Sequence, residues 1–502
     1  MSSEQIIILV VIILYLLLNI FISLWISKRQ ERLDAKAGKG FLESYFMGGR
    51  SMGGLVLAMT TMATFASAST FLGGAGVASA RGLVWVYLAV IQVPTVFLVL
   101  AFLGKKFAIV GRKTNAVTVI DLLRARYHSH PVTIVAAIAL VAFSIAMMVA
   151  QFIGGAVLVE TITGVPYTTG LLIFGITVIL YTTIGGFKAV VTTDTIQGII
   201  MVVGAIIVLV AVVLSAGGFD AVADKLTAVN PEWNIPEPES TPKPYLMSFW
   251  FLVGIATIGL PQTAVRGLGF KNTKSVHQAM VYGTVALAII VVTIHLAGVY
   301  APAVVTPDEV VNSDYTMPVL AMKVMPPVLA ALFIAAPLSA IMSTVSSLLI
   351  MASSSVIKDI YLNYFAKDRK ETDHSKIDIK SKGVGRVSMI TTAVLGLIVI
   401  LCTINPPSLI VWINLFAMGA LECAFLCPTV GGMYWKRANA LGSIMSSVGG
   451  IAAFMFFTLT KISIGGTTAI VPSIIISVIL FIIGSLVGKR STQEELDLFF
   501  AK

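Results

Sequence analysis

Ala63-Thr-Phe-Ala66-Ser67-Ala-Ser69-Thr70-Phe-Leu-Gly73-Gly74-Ala75-Gly76 stands in the middle of an apolar run long enough to cross a membrane. A straight spanning helix needs about 20 mostly apolar residues, yet this run fills its centre with hydroxyls and residues without bulk. Ser and Thr offer the backbone alternatives to the helical ladder, and Gly adds conformational freedom. Backbone groups freed at membrane depth are tolerated only where they line a cavity or hold something. A second stretch of this kind, Gly254 through Gly259-Leu-Pro261-Gln262-Thr263, lies five apolar spans later. Its proline removes a backbone donor and clashes with the carbonyl four residues back. Paired discontinuous helices in corresponding positions point to the central site of a transporter. The competing reading is that glycines and small residues simply let helices pack closely.

Working outward, the 502 residues are 57% hydrophobic and only 12% charged. A soluble domain carries about 25% charged residues, so this chain cannot cover a water-facing body, and collagen, a disordered tail and a disulfide scaffold are excluded with it. The first apolar run, Ile6 to Ile26, is followed by Lys28, Arg29 and Arg32. A signal peptide has its positive charges first and a shorter core, so this reads as a retained span with its N-terminus outside. Further spans fall at 53–78, 83–104, 131–158, 167–183, 189–215, 246–265, 276–300, 326–356, 387–404, 408–435, 441–460 and 468–488, thirteen in all. With that topology 29 of the 34 Lys and Arg residues face the cytoplasm, and Arg81, Lys225, Lys243, Lys323 and Lys461 face out. This asymmetry is the positive-inside pattern. The net charge of +10 is therefore an orientation signal and not a nucleic-acid footprint. Cys402, Cys423 and Cys427 imply no disulfide framework; Cys423 and Cys427 stand i,i+4 on one face, a spacing metal ligands could use, but with no His or further Cys beside them they read as small buried hydrophobes.

The loop from Phe219 to Tyr245 reads as a short outside surface loop, and the mixed-charge stretch from Lys358 to Lys382 as a solvated helix or loop. A third unusual span runs Ala336-Pro337-Leu-Ser339-Ala340-Ile-Met-Ser343-Thr344-Val-Ser346-Ser347 and on to Ser353-Ser354-Ser355, eight hydroxyls in one helix. Adjacent hydroxyls at Ser343 and Thr344 diverge by about 100° and can reach one ion against that face. Neutral carbonyl and hydroxyl oxygens suit a weakly held monovalent cation; the alternative is that these side chains bond their own helix. Ionisable residues in spans are functional candidates by default. Asp194 could relay a cation to the cytoplasm or cap its helix; Glu422 and His295 lie deeper without an evident partner, and Glu160 lies near an outer end. His295 reads as a packing residue. His128 and His130 near Asp121 match no catalytic motif, and no channel filter is visible.

Tyr181-Thr-Thr-Ile-Gly185-Gly186-Phe187-Lys-Ala189 with Thr193-Asp194-Thr-Ile-Gln197 resembles the signature of the sodium:solute symporter family. Gly432-Met-Tyr-Trp-Lys-Arg437-Ala-Asn-Ala-Leu-Gly442-Ser443 resembles its second signature, with Ser443 where the family usually has Ala. The likeness runs from about Tyr45 to about Val487. Four stretches are most similar to the members that carry pantothenate: Tyr45 to Thr60, Gln151-Phe-Ile-Gly-Gly-Ala156, Gly259 to Arg266, and Ile341-Met-Ser-Thr344 running to Ile357 through Asn363.

The resemblance implies an all-α polytopic membrane protein in the cell inner membrane, a single transporter domain over 1–502. An extra helix (6–26) would precede a five-plus-five inverted repeat (53–215 and 246–435) with broken first helices, and two C-terminal helices (441–488) would end in the cytoplasm. It also implies a sodium site made of the main-chain carbonyls of Ala63, Ala66 and Ala340 with the Ser343 and Thr344 hydroxyls, and Asp194 on the inward ion path. Proline-carrying relatives have aromatic residues where this chain has Val253 and Thr257, which implies a softer pocket for a longer, hydroxylated carboxylate such as pantothenate. Ser67, Ser69, Thr70, Gln92, Gln151, Thr257, Gln262 and Asn414 are the candidate substrate contacts. The expected activity is sodium-coupled uptake by alternating access, with sodium as coupling ion and no cofactor, enzymatic step or nucleic-acid partner. The alternatives are another small solute such as an amino acid or monocarboxylate, proton coupling and, more remotely, a membrane-embedded transferase.

Overall fold

The computed structural model describes residues 3–37, 52–236, 238–239, 241–365 and 382–500. Residues 45–51 of the quoted motif and 366–381 of the charged stretch lie outside the described residues. Among the described residues every regular element is a helix, and one isolated bridge pairs Met52 with Phe270.

Thirteen spans result when each bent pair is taken as one. They are α1 (Ser3–Arg29), α2 (Gly54–Phe65 and Ser69–Arg81), α3 (Leu83–Thr114), α4 (His130–Thr163), α5 (Tyr167–Phe187) and α6 (Ala189–Ala216). There follow α7 (Lys243–Gly259 and Pro261–Leu268), α8 (Thr273–Ala303), α9 (Pro327–Phe365), α10 (Arg386–Thr403), α11 (Ile410–Tyr434), α12 (Ala440–Thr460) and α13 (Ile470–Val487). The two halves of α2 meet at 58° and those of α7 at 47°, at the two places the sequence marks as discontinuous. Helix α5 passes into α6 through Gly186, whose φ of 62° is a backbone conformation that costs glycine little.

Burial separates the core from the lipid-facing shell. From Phe333 to Ser354 every residue of α9 is buried, as expected of a helix enclosed on all sides. Helix α1 instead exposes Leu14, Leu17, Phe21 and Trp25, an apolar face suited to acyl chains and not to water. The eight-hydroxyl helix therefore sits at the centre, where each hydroxyl must find a partner inside the protein.

The connecting segments sort into two ends. At one, Arg112 Nη2 donates to the Phe270 carbonyl at 3.0 Å, and Lys106 Nζ to that of Phe499 at 3.1 Å. There the buried Arg126 guanidinium donates to the carbonyls of Gly432 at 2.7 Å and Ala438 at 3.0 Å. At the other end Leu83 N–H donates to the Trp233 carbonyl at 2.7 Å, Tyr167 Oη to that of Thr403 at 3.1 Å, and Thr468 N–H to Ser248 Oγ at 3.1 Å. This is the alternation that thirteen successive crossings require.

Two expectations change. The Phe219–Tyr245 segment is not simply a loop, since Phe219–Val229 is an amphipathic helix that buries Val222 and Leu226. Arg266, which the sequence reading counted with the cytoplasmic loop charges, is a buried residue of α7 with 1% of its surface exposed.

In the connection before α9, the side chain of Asp314 accepts the Ile410 backbone N–H at 3.1 Å and so ties that connection to the start of α11. Burial raises its carboxyl to about 6 against the opposing effect of that N–H. An unfolded Asp titrates near 3.9, so the folded state loses stability as pH rises through 6. An amide keeps the acceptor without the charge. The stability advantage of Asp314→Asn over the native protein should grow as pH rises from about 3.5 to about 7, by on the order of 2–3 kcal/mol in all, read from melts at each pH. An advantage independent of pH would contradict this.

Candidate functional site

The break in α2 frees two carbonyls. Ser67 N–H, which a regular helix would give to Ala63, turns to Thr70 Oγ1 at 3.4 Å. Thr70 N–H, which would go to Ala66, donates to Ser67 O at 3.0 Å. Facing these carbonyls, Ser343 Oγ donates to Ala63 O at 3.0 Å and Thr344 Oγ1 to Ala66 O at 3.3 Å. The same hydroxyls also reach Ala340 O, at 3.1 and 2.9 Å. Five neutral oxygens from α2 and α9 thus converge in a buried spot.

The other serines of α9 behave differently. Ser353 and Ser354 bond carbonyls one turn back on their own helix, and Ser339 bonds Ala335 O and the Tyr15 hydroxyl. Ser343 and Thr344 share that self-bonding, through Ala340 O, but differ in also reaching across to the α2 carbonyls.

Asp194 lies well inside α6 and is not a helix cap. Its Oδ2 accepts from Thr60 Oγ1 at 2.6 Å and stands 3.4 Å from Arg266 Nη2, both charges buried. The same Nη2 donates to Ser347 Oγ at 2.5 Å and Thr64 Oγ1 at 3.1 Å, while Phe187 packs under the guanidinium. Among the described residues Asp194 Oδ1 and Arg266 Nε and Nη1 have no hydrogen-bond partner. One side-chain network thus joins α2, α6, α7 and α9 just beyond the five oxygens.

Next to these oxygens lies a cavity lined in part by Thr64, Ser67, Ser69, Thr70, Gly74 and Thr344. Further walls come from Trp85, Gln92, Phe249, Val253, Gln262, His295 and Asn414. Its free volume of about 50 Å³ holds about four waters at roughly 10–15 Å³ each. Small-molecule sites span roughly 300–1,000 Å³, so this cavity is contracted. A smaller one of about 20 Å³, lined by Thr118, Gln262, Arg266, Ser347 and Asp359, continues toward the Lys- and Arg-rich end. Gln262 borders both. Beyond the second, Lys358 Nζ contacts Asp121 at 2.5 Å and Thr118 Oγ1 donates to Asp359 Oδ1 at 3.0 Å. Burial pushes the Asp121 carboxyl up, but Lys358 and the Val117 and Thr118 N–H groups hold it below the ordinary range.

A family model describing the sodium:solute symporter family matches residues 45–450. The chain belongs to the sodium:solute symporter family. It is 44% identical to the sodium/pantothenate symporter of Haemophilus influenzae, over 91% of this chain and 93% of that protein. It is 42% identical to the sodium/pantothenate symporter of Escherichia coli, over 90% and 92%. Among solved structures it resembles a Na+-coupled sialic acid symporter in a substrate-bound outward-open state, with TM-score 0.79 and 19% identity, covering 97% of this chain and 99% of that one. That likeness gives the fold, and it is the symporter architecture the broken helices announce. With its eleven or more apolar helices, this symporter-family chain is a multi-pass inner-membrane protein.

Within this family member, six of the eight expected contact residues line the first cavity: Ser67, Ser69, Thr70, Gln92, Gln262 and Asn414. Thr257 and Gln151 do not. Thr257 Oγ1 donates to the Gly254 carbonyl of its own helix. Gln151 stands behind the wall, accepting Ala68 N–H at 2.9 Å and donating to Asn414 Oδ1 at 3.5 Å. Nor is the pocket free of rings. Trp85 and Phe249, with centroids 5.7 Å apart, supply them from α3 and from a point of α7 that the family comparison did not address. Arg266, five residues past the helix-breaking proline, is the largest omission, and a charge so close to a break was a usable signal. His295 lines the cavity and is not merely packed. Glu422 is fully buried on α11, neither carboxyl oxygen having a hydrogen-bond partner. Cys423 and Cys427 are free and buried. No group of three or more potential metal ligands of the His, Cys, Asp and Glu type occurs among the described residues.

Proposed function

We propose that this chain takes up pantothenate together with sodium by alternating access, moving its solute chemically unchanged. The observation that carries the reading is the convergence of two freed α2 carbonyls with the Ser343 and Thr344 hydroxyls on α9, beside a cavity rich in neutral polar groups. The 42–44% identity to two sodium/pantothenate symporters over nine-tenths of the chain supports the substrate.

In this reading the Lys- and Arg-rich end faces the cytoplasm and the N-terminus faces out. Residues 53–215 and 246–435 form the two inverted repeats, with 6–26 before them and 441–488 after. Sodium is held by the Ala63, Ala66 and Ala340 carbonyls and the Ser343 and Thr344 hydroxyls. Because both helices supply ligands, the ion fixes α2 against α9, and Thr344 carries that constraint to the cavity wall. Neutral ligands hold a monovalent cation loosely enough to release it. Asp194 receives the leaving ion once its contact with Arg266 loosens. Each inward sodium gains about 2.3 kcal/mol per 100 mV of membrane potential, but a monovalent anion entering with it loses the same amount. One sodium per anion is therefore driven by the sodium gradient alone, and each further sodium adds a factor of about forty to the accumulation.

The test is uptake of labelled pantothenate into proteoliposomes under an inward sodium gradient, competed with proline, lactate and biotin. Uptake should need sodium and yield to unlabelled pantothenate alone. Competition by proline in its place would overturn the substrate and leave the fold untouched. Uptake driven equally well by a proton gradient would overturn sodium coupling.

A further inference from the structure

Two hydrogen-bond chains anchored on the backbone fix the polarity of two groups in the cavity wall. On α8, His295 Nδ1 lies 2.7 Å from the Val291 carbonyl. A carbonyl only accepts, so Nδ1 carries the hydrogen, and in the neutral ring Nε2 presents a lone pair. The ring's one hydrogen bond among the described residues is this one through Nδ1, and His295 lines the cavity. It borders a notch that exists because residue 74 is glycine: a Cβ there would stand 2.7 Å from Nε2 and 2.8 Å from the Ser69 carbonyl oxygen. Both flanking atoms are acceptors.

The second chain starts at Ala68, whose backbone N–H can only donate and takes Gln151 Oε1 at 2.9 Å. The amide nitrogen of Gln151 must then face Asn414, and it donates to Oδ1 at 3.5 Å. Asn414 is thereby oriented with its own NH₂ outward, resting on Met418 Sδ at 3.3 Å. Gln262 Nε2 also rests on a thioether, Met147 Sδ, at 3.6 Å, but its buried Oε1 has no partner among the described residues, so this amide offers both a donor and an acceptor. Thioether sulfur is a weak acceptor, so a carboxylate oxygen displaces it at little cost.

We infer that the cavity is bipolar. Its acceptor pole, His295 Nε2 with the Ser69 carbonyl at the Gly74 notch, takes the hydroxyl end of the solute, and its donor pole, the Asn414 amide, takes the carboxylate. This rests on the pantothenate reading and adds the orientation of the solute and the two groups that select it. A carboxylate at the acceptor pole meets two lone pairs and is rejected, so a carboxylate without hydroxyls is held at one end only. Gln151 is a positioning residue that sets the direction of Asn414.

The test measures how three unlabelled compounds inhibit sodium-driven uptake of labelled pantothenate: pantothenate itself, its analogue without hydroxyls, and panthenol, in which the carboxylate is reduced to an alcohol. His295→Phe should weaken pantothenate and panthenol by about tenfold and leave the hydroxyl-free analogue unchanged. Asn414→Leu should weaken pantothenate and the hydroxyl-free analogue by about tenfold or more and leave panthenol unchanged. Gly74→Ala, which fills the notch, should repeat the His295→Phe pattern, and Gln151→Leu a milder Asn414→Leu pattern. A variant that yields no folded protein is replaced by the other at the same pole. Equal weakening of all three compounds at both poles, or a reversed pattern, overturns the inference. Native protein that carries no pantothenate would instead overturn the function on which it rests.

Discussion

The double substitution Ser343→Ala, Thr344→Ala should raise the sodium concentration for half-maximal uptake by more than about tenfold, because in the proposed site each lost hydroxyl removes a direct ligand and 1.4 kcal/mol corresponds to a factor of ten. The expectation rests on geometry that separates these two residues from other hydroxyls of α9. Ser343 and Thr344 reach the freed carbonyls of Ala63 and Ala66, whereas Ser353 and Ser354 bond only their own helix. Ser353→Ala and Ser354→Ala should accordingly leave the sodium dependence unchanged. A sodium dependence that is equal in the double variant and the native protein would remove the ion from this place.

The second large effect concerns Asp194 and Arg266. Removing one partner of a buried ion pair leaves the other charge uncompensated, at a cost of about 3–5 kcal/mol. Asp194→Asn and Arg266→Met should each lower the melting temperature sharply and abolish uptake. The combination Asp194→Asn, Arg266→Met removes both charges and should recover most of the stability without recovering transport, since the proposed inward route then has neither carboxylate nor latch. Thermal melts of the four proteins form a double-mutant cycle. Additive losses would show that the two side chains do not act as a pair. The contact at 3.4 Å is long and Asp194 Oδ1 is unpartnered among the described residues, which suits a pair that parts in the proposed cycle.

The fold was legible because the features that dictate it are local. Thirteen apolar runs, the hydroxyl-rich break at Ala66 to Ala68 and the proline at 261 can each be read within a few residues, and all reappear in place. Ser343, Thr344 and the Ala340 carbonyl were legible in α9 itself, whereas the Ala63 and Ala66 carbonyls that the two hydroxyls meet were legible only through the family resemblance. The cavity wall was half legible. Six hydroxyl and amide residues line it as expected, since polar groups in a span have few other places to go. Trp85 and Phe249 were missed because an aromatic ring in an apolar helix looks the same facing lipid or a cavity. Gln151 was assigned to the solute because the sequence cannot show that the Ala68 N–H would claim its oxygen. His295 read as packing for the same reason: its carbonyl partner lies on its own helix, while the exposure of its other nitrogen depends on helices far away in sequence.

The central claim, that sodium and the solute move as one coupled event through the Ser343 and Thr344 site, is tested most directly by reversing the drive. Proteoliposomes holding equal sodium on both sides are given an inward gradient of pantothenate, and entry of labelled sodium is followed. Net sodium accumulation in the native protein, abolished by Ser343→Ala, Thr344→Ala, is the result this account predicts. Pantothenate entry without sodium accumulation, or sodium accumulation that survives the double substitution, would contradict it.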